Sequence, residues 1–193
     1  MAQRKTGLFF GSFNPVHVGH MILANFMATQ TTLDEVWLVV SPQNPFKSRA
    51  TLARDHDRLH LVKTAIGDTP NLKASDVEFS MPKPSYTIDT LAVLREKYPE
   101  RAFSLIMGSD NLATLPKWKN ADVILRDYDI HVYQRPAYPG GDLEAHARVT
   151  VYDAPLMHLS ATYVRRVIKA GLSARYLVPD AVAAEIEASG LYR

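Results

Sequence analysis

The sequence contains no cysteine, and that absence excludes disulfides, thiol nucleophiles, iron–sulfur clusters and thiolate zinc sites. Long hydrophobic runs are missing as well. The longest unbroken apolar stretch, residues 36–40, falls far short of the ~18 residues needed to cross a bilayer. The apolar stretch after residues 1–6 is shorter than the ~7–15-residue core of a signal peptide, so a cytoplasmic protein with no membrane partner is expected. Nor is there an excess of charge of one sign. Basic side chains number 22 and acidic ones 20 in 193 residues, a formal charge of +2, with no run of five like charges. Such a balance is no nucleic-acid footprint. Basic residues that matter must act locally, on a small anion.

What is present is ordinary globular material: 47% apolar and 22% charged, which excludes bulk disorder, at a length that suits a single domain over residues 1–193. Strands are predicted at 5–10, 35–40, 72–79, 103–107, 130–133 and 149–152. Helices are predicted at 18–30, 51–66, 86–98, 161–170 and 180–189, from apolar spacing and from the glycines that stop several of them. Ser85 is read as the cap of the third helix, whose apolar stripe is Ile88, Leu91 and Leu94. Pro42 and Pro45 impose a loop, and the Pro- and Gly-rich residues 136–146 read as a mobile one. Strands alternating with helices predict an α/β fold: a Rossmann-like, doubly wound parallel sheet with helices on both faces. In such sheets the ligand lies beyond the carboxyl ends of the strands, where the winding reverses.

One strand end is rich in chemistry. Gly11-Ser12-Phe13-Asn14-Pro15-Val16-His17-Val18-Gly19-His20 follows the first strand and opens a helix. A turn of small residues lets backbone amides approach an anion, and the helix adds its positive end. His17 and His20, three apart, project on one side of that helix, and Gly19 leaves room for a ligand against the backbone. Imidazoles donate hydrogen bonds to phosphate oxygens, which carboxylates cannot. A pair of histidines that only caps a helix is the plainer reading, and the full decapeptide outweighs it.

The decapeptide resembles the Gly-x-Phe-x-Pro-x-His-x-Gly-His signature of the nucleotidylyltransferase superfamily, matching at Gly11, Phe13, Pro15, His17, Gly19 and His20. Leu159-Ser160-Ala161-Thr162-Tyr163-Val164-Arg165 resembles its second motif, Ile-Ser-x-Thr-x-Ile-Arg. Ser160 stands where an N-cap would, and Arg165 brings a planar donor suited to phosphate. Between the motifs lie Pro42-Gln43-Asn44-Pro45-Phe46-Lys47, Pro84-Ser85-Tyr86-Thr87, Gly108-Ser109-Asp110-Asn111-Leu112 and Pro116-Lys117-Trp118. This set, in this order, is similar to the bacterial nicotinate-nucleotide adenylyltransferase family, along residues 6–192.

The resemblance implies an enzyme that joins ATP to nicotinate mononucleotide, giving deamido-NAD and pyrophosphate. It implies catalytic roles for His17, His20, Lys47 and Arg165. ATP would be bound through Gly11, Ser12, Phe13, Gly19, Gly108, Asp110, Ser160 and Thr162, with Asp110 on the ribose hydroxyls. Nicotinate mononucleotide would meet Asn44, Thr87 and Trp118, the indole stacking on the pyridine ring, with backbone amides near Trp118 and the Thr87 hydroxyl meeting its carboxylate. Magnesium is expected to arrive mainly on the ATP phosphates, with no metal site of protein side chains. A tryptophan beside two lysines is also a common half-buried surface anchor. The rival readings are phosphopantetheine adenylyltransferase, which shares both phosphate motifs but lacks the Tyr86-Thr87 and Trp118 set, and a nucleotide-binding regulator without turnover. Intact His17, His20 and Arg165 argue against the regulator. His56 and His60, four apart, lack the glutamate of a metalloprotease motif and read as a solvated helix face. His131, His146 and His158 have no partner legible in the sequence, and a homo-oligomer stays open.

Overall fold

A computed structural model describes residues 3–42, 52–135 and 138–193. The described strands are β1 (Arg4–Gly11), β2 (Glu35–Val40), β3 (Leu72–Ser75), β4 (Arg101–Gly108), β5 (Ile130–Tyr133) and β6 (Val149–Tyr152). They pair in parallel in the order β3-β2-β1-β4-β5-β6. The chain winds outward from β1 to β3, then crosses to the other side of β1 at β4. Winding therefore reverses between β1 and β4, and in such sheets the ligand crevice lies beyond the carboxyl ends at that point. The expected doubly wound α/β fold is the observed one.

Successive side chains on a strand point to opposite faces, so each strand feeds two cores. Phe9, Val36, Leu38 and Ile106 face the layer of α1 (Val18–Gln30), α2 (Asp55–Ile66), α6 (Ala161–Lys169) and α7 (Asp180–Ser189). Leu8, Trp37, Val39, Leu105 and Met107 face α3 (Thr87–Lys97), α4 (Ser109–Thr114) and α5 (Ala121–Asp127). The stripe of Ile88, Leu91 and Leu94 on α3 is buried as its spacing requires.

Several boundaries differ from the sequence reading. α2 begins at Asp55 rather than at residue 51, with Asp55 and Asp57 placed where the helix dipole favours acids. β3 ends at Ser75, whose hydroxyl accepts the Val77 N–H and turns the chain into a 3₁₀ helix at Val77–Ser80. Ser85 lies one residue too early to cap α3; Tyr86 holds that position without a capping side chain. α4 and α5, absent from the sequence reading, fill the stretch after β4. Within the expected 136–146 loop, Gly141–Ala145 forms a 3₁₀ helix, its entry fixed by Gly140 N–H donating to Glu144 Oε1 at 2.6 Å. Pro136 and Ala137 lie outside the described residues.

The amino ends of the strands are tied by a buried charge. Glu35 Oε1 accepts from Trp37 Nε1 at 2.7 Å and Thr6 Oγ1 at 3.1 Å and pairs with Arg101, while Oε2 pairs with Arg4 Nη2 at 3.1 Å. Removing one member of a buried pair strands the other. Glu35→Ala is expected to lower the unfolding free energy by about 3 kcal/mol, read from urea denaturation. A parental midpoint would show that the cluster contributes nothing.

Candidate active site

The loop leaving β1 doubles back on itself. Phe13 adopts a left-handed φ of 42° and buries its ring edge-on to Phe9 at 5.9 Å and to His20 at 5.0 Å. That ring lies over Gly11, where a Cβ would come within 2.8 Å of it. The room left by Gly11 is thus taken by Phe13, and Phe13, 1% exposed, offers the crevice only its backbone. At Gly19 a Cβ would stand 3.2 Å from His17 Nδ1, so this glycine makes room for the imidazole rather than for a ligand.

His17 is the N-cap of α1 and His20 its third residue, whose side chain reaches back to the N-cap backbone. His20 Nδ1 accepts the His17 N–H at 3.2 Å, which leaves the His20 proton on Nε2 as a donor. The two rings stack with centroids 3.6 Å apart. His17 is buried, and its Nδ1 has no hydrogen-bond partner among the described residues. Burial holds its pKa down at about 4, so the ring is neutral at pH 7.

The second motif arrives from 151 residues away. Ser160 caps α6, its Oγ accepting the Tyr163 N–H at 3.2 Å as the sequence predicts. Arg165 Nη1 donates to the Asn14 carbonyl at 2.7 Å, and Nη2 donates to Thr162 Oγ1 at 3.3 Å. Val18 N–H donates to the Leu177 carbonyl at 3.0 Å, a second tie between the chain's two ends. The imidazole pair and the guanidinium therefore share one loop.

Across the switch, the register that pairs Phe9 with Ile106 brings Gly108 level with Gly11. Asp110 follows in the first turn of α4; its Oδ2 accepts from Arg135 Nη1 at 2.9 Å, and its Oδ1 is buried without a partner among the described residues. Ser109 Oγ, which sequence reasoning overlooked, accepts the Arg135 N–H at 2.8 Å and donates to the Tyr138 carbonyl at 2.5 Å. Tyr133, partly buried beside Phe9, has its phenol pKa pushed up to about 12 by desolvation and by Asp110.

Thr87 opens α3, and half-buried Trp118 packs against the second core, as a surface anchor would. Lys119 draws their elements together, with Nζ 2.8 Å from Asp89 Oδ2 on α3 and 5.0 Å from the Tyr86 ring centroid. The Trp118 N–H is already committed to the Leu115 carbonyl at 2.9 Å, so that amide is not available to a carboxylate. Asn44 and Lys47 lie outside the described residues.

Among the described residues no group of three or more His, Asp or Glu is placed to hold a metal. His56 meets the Phe79 ring edge-on at 5.4 Å, and His60, on the exposed face, lies 3.4 Å from Glu185 Oε1. His131 Nδ1 sits 3.0 Å from Tyr152 Oη. His146 Nδ1 accepts the Arg148 N–H at 3.2 Å.

The cytidylyltransferase-like family profile matches residues 8–167. A curated relative from Cytophaga hutchinsonii, described as a probable nicotinate-nucleotide adenylyltransferase, is 52% identical over 178 residues, 92% of this chain and 93% of the relative. One from Flavobacterium johnsoniae with the same description is 47% identical over 191 residues, 98% of this chain and 99% of the relative. The chain belongs to the nicotinate-nucleotide adenylyltransferase family. A solved nicotinic acid mononucleotide adenylyltransferase from Plasmodium falciparum, complexed with NaAD, shares this family member's fold at a TM-score of 0.81 and 17% identity, covering 98% of this chain and 97% of that one.

The buried imidazole of this family member gives a test. An unfolded histidine titrates near ~6.5 and His17 in the fold at about 4, so between these values the unfolded chain binds more protons. Stability should therefore rise with pH across that window, and acidification through it should remove about 3 kcal/mol that His17→Asn retains. NMR titration of the free protein should place the His17 midpoint near 4. A midpoint near the ordinary value would show the ring to be solvated.

Proposed function

We propose that His17, His20, Arg165 and the amino end of α1 grip the triphosphate of ATP while nicotinate mononucleotide attacks its α-phosphorus. Family membership makes the chain a nicotinate-nucleotide adenylyltransferase of NAD biosynthesis, producing deamido-NAD and pyrophosphate. A phosphate oxygen of the mononucleotide forms the new bond to the α-phosphorus. The bond from that phosphorus to its bridging oxygen breaks, and pyrophosphate leaves with the electron pair.

The attacking phosphate is already anionic, so no general base is needed. The barrier is the meeting of two anions and the growth of charge on the leaving group, which makes positioning and charge stabilisation the main sources of rate. The carrying observation is the Arg165 guanidinium bonded to the Asn14 carbonyl, because it sets the second motif against the first. Gly11, Ser12, Phe13 and Gly19 contribute backbone, Ser160 and Thr162 the amino end of α6, and Gly108 close approach beside Asp110, which takes the ribose hydroxyls. Trp118 stacks on the pyridine ring, the Thr87 hydroxyl meets its carboxylate, and Lys47 and Asn44 reach the reacting phosphates. ATP enters as its magnesium complex, the ion held by phosphate oxygens and water.

A cytoplasmic location without nucleic-acid or membrane partners fits the near-balanced charge. Among the described residues no helix is long and apolar enough to cross a membrane.

Pyrophosphate release from ATP, measured in parallel with nicotinate mononucleotide, nicotinamide mononucleotide and phosphopantetheine, should be fastest with the first. Fastest turnover with phosphopantetheine would overturn the substrate assignment. His20→Ala should lower turnover about 100-fold or more while leaving the circular dichroism spectrum unchanged. Near-parental turnover would remove His20 from the machinery.

A further inference from the structure

α2 carries a charged residue where its spacing calls for an apolar one. Arg58 stands three and four residues before the buried Leu61 and Val62, on the same face, and its side chain is 0% exposed. A guanidinium survives burial only when its donors are met. Arg58 Nη2 pairs with Asp55 Oδ1 at 2.7 Å, and Nε donates to the Ala53 carbonyl at 3.1 Å. Nη1 donates to the Ser41 carbonyl at 2.9 Å and to the Ser12 carbonyl. One side chain thus gathers the loop after β1, the residue after β2 and the residue two before α2.

The Ser12 contact sets the orientation of a peptide at the active site. A carbonyl and the following N–H lie on opposite edges of one planar peptide. Drawing the Ser12 carbonyl onto Arg58 turns the Phe13 N–H away from α2, and that N–H donates to no group among the described residues. The same contact neutralises the negative end of this peptide's dipole, so the loop shows the crevice its positive end. Asn14 is held in turn, its Oδ1 accepting the Ala53 N–H at 3.1 Å and its carbonyl accepting from Arg165. The loop is strapped between two arginines, one sealed beneath it and one at the mouth.

We propose that Arg58 is a positioning residue for adenylyl transfer. Without touching substrate, it fixes the Ser12–Phe13 peptide so that the Phe13 N–H faces the triphosphate. This rests on the active-site reading above, and the test separates the two. Lysine at this position keeps the charge but presents a single point donor, unable to span three carbonyls. Arg58→Lys should lower kcat by about 10- to 100-fold, with both KM values within about threefold of parental. Leu61→Val, a core change on the same helix, should keep kcat within about twofold at a matched loss of Tm. In ¹H–¹⁵N spectra ATP should shift the Phe13 amide of the parent and not that of Arg58→Lys.

Parental kcat in Arg58→Lys, or an equal kcat loss in Leu61→Val, would reduce Arg58 to a structural role. A parent Phe13 amide that ignores ATP would overturn the active-site reading beneath the proposal. Should Arg58→Lys fail to fold, Asp55→Asn relaxes one of the four anchors, and a kcat loss of about two- to fivefold at unchanged KM is expected. An unchanged kcat there would count against the proposal.

Discussion

The contact on which the site depends is the hydrogen bond from Arg165 Nη1 to the Asn14 carbonyl. A polyphosphate is long and densely charged, and no single helix end neutralises it. Two segments at opposite ends of the chain must reach one place, and this bond marks where they meet. It also leaves capacity in hand. A guanidinium has five donors, and Arg165 commits Nη1 to a backbone carbonyl and Nη2 to Thr162 at 3.3 Å. The neutral, buried His17 and the half-paired Asp110 share that character. Each keeps hydrogen-bonding capacity that the described residues do not use.

The fold supplies this arrangement by separating two tasks along the sheet. At the carboxyl ends, the reversal between β1 and β4 splays the connections apart and exposes helix amino ends, a geometry that favours anions and weakens packing. At the amino ends, the cluster around Glu35 ties the sheet together through Thr6, Trp37, Arg4 and Arg101. The two-sided core joins the ends, alternate residues of β1 and β4 serving opposite helix layers. Cavities of about 840 Å³ between α6 and α7, and about 600 Å³ near the amino ends of the strands, contain none of the motif residues. Chemistry, rather than volume, locates this site.

How much of this was legible in the sequence varies with the physics of each element. The strands and the longer helices announce themselves by period and punctuation, as with residues 18–30, read and observed alike. The motif histidines and Arg165 were legible because small residues, imidazoles and a helix start coincide. α4 and α5, six and seven residues long, are too short for a period to emerge. The tail of β3 alternates like a strand, yet a serine hydroxyl diverts it. Ser85 carries a capping side chain but stands one residue before the N-cap position, which Tyr86 holds. Arg58 was missed because a charged residue reads as solvated; its place on the Leu61 and Val62 face was the available signal. The spacing gives Gly19 room for a ligand, and in the fold the His17 ring lies against it.

The stacked imidazoles show how two such rings share one site without repelling each other. At a centroid separation of 3.6 Å, two charged rings would oppose one another, and burial alone keeps His17 neutral with a pKa of about 4. Returning that ring to its ordinary value near ~6.5 takes ~3 kcal/mol, at 1.36 kcal/mol per unit. Kept neutral, the His17 ring does not burden the fold with an unpaired buried cation beside His20.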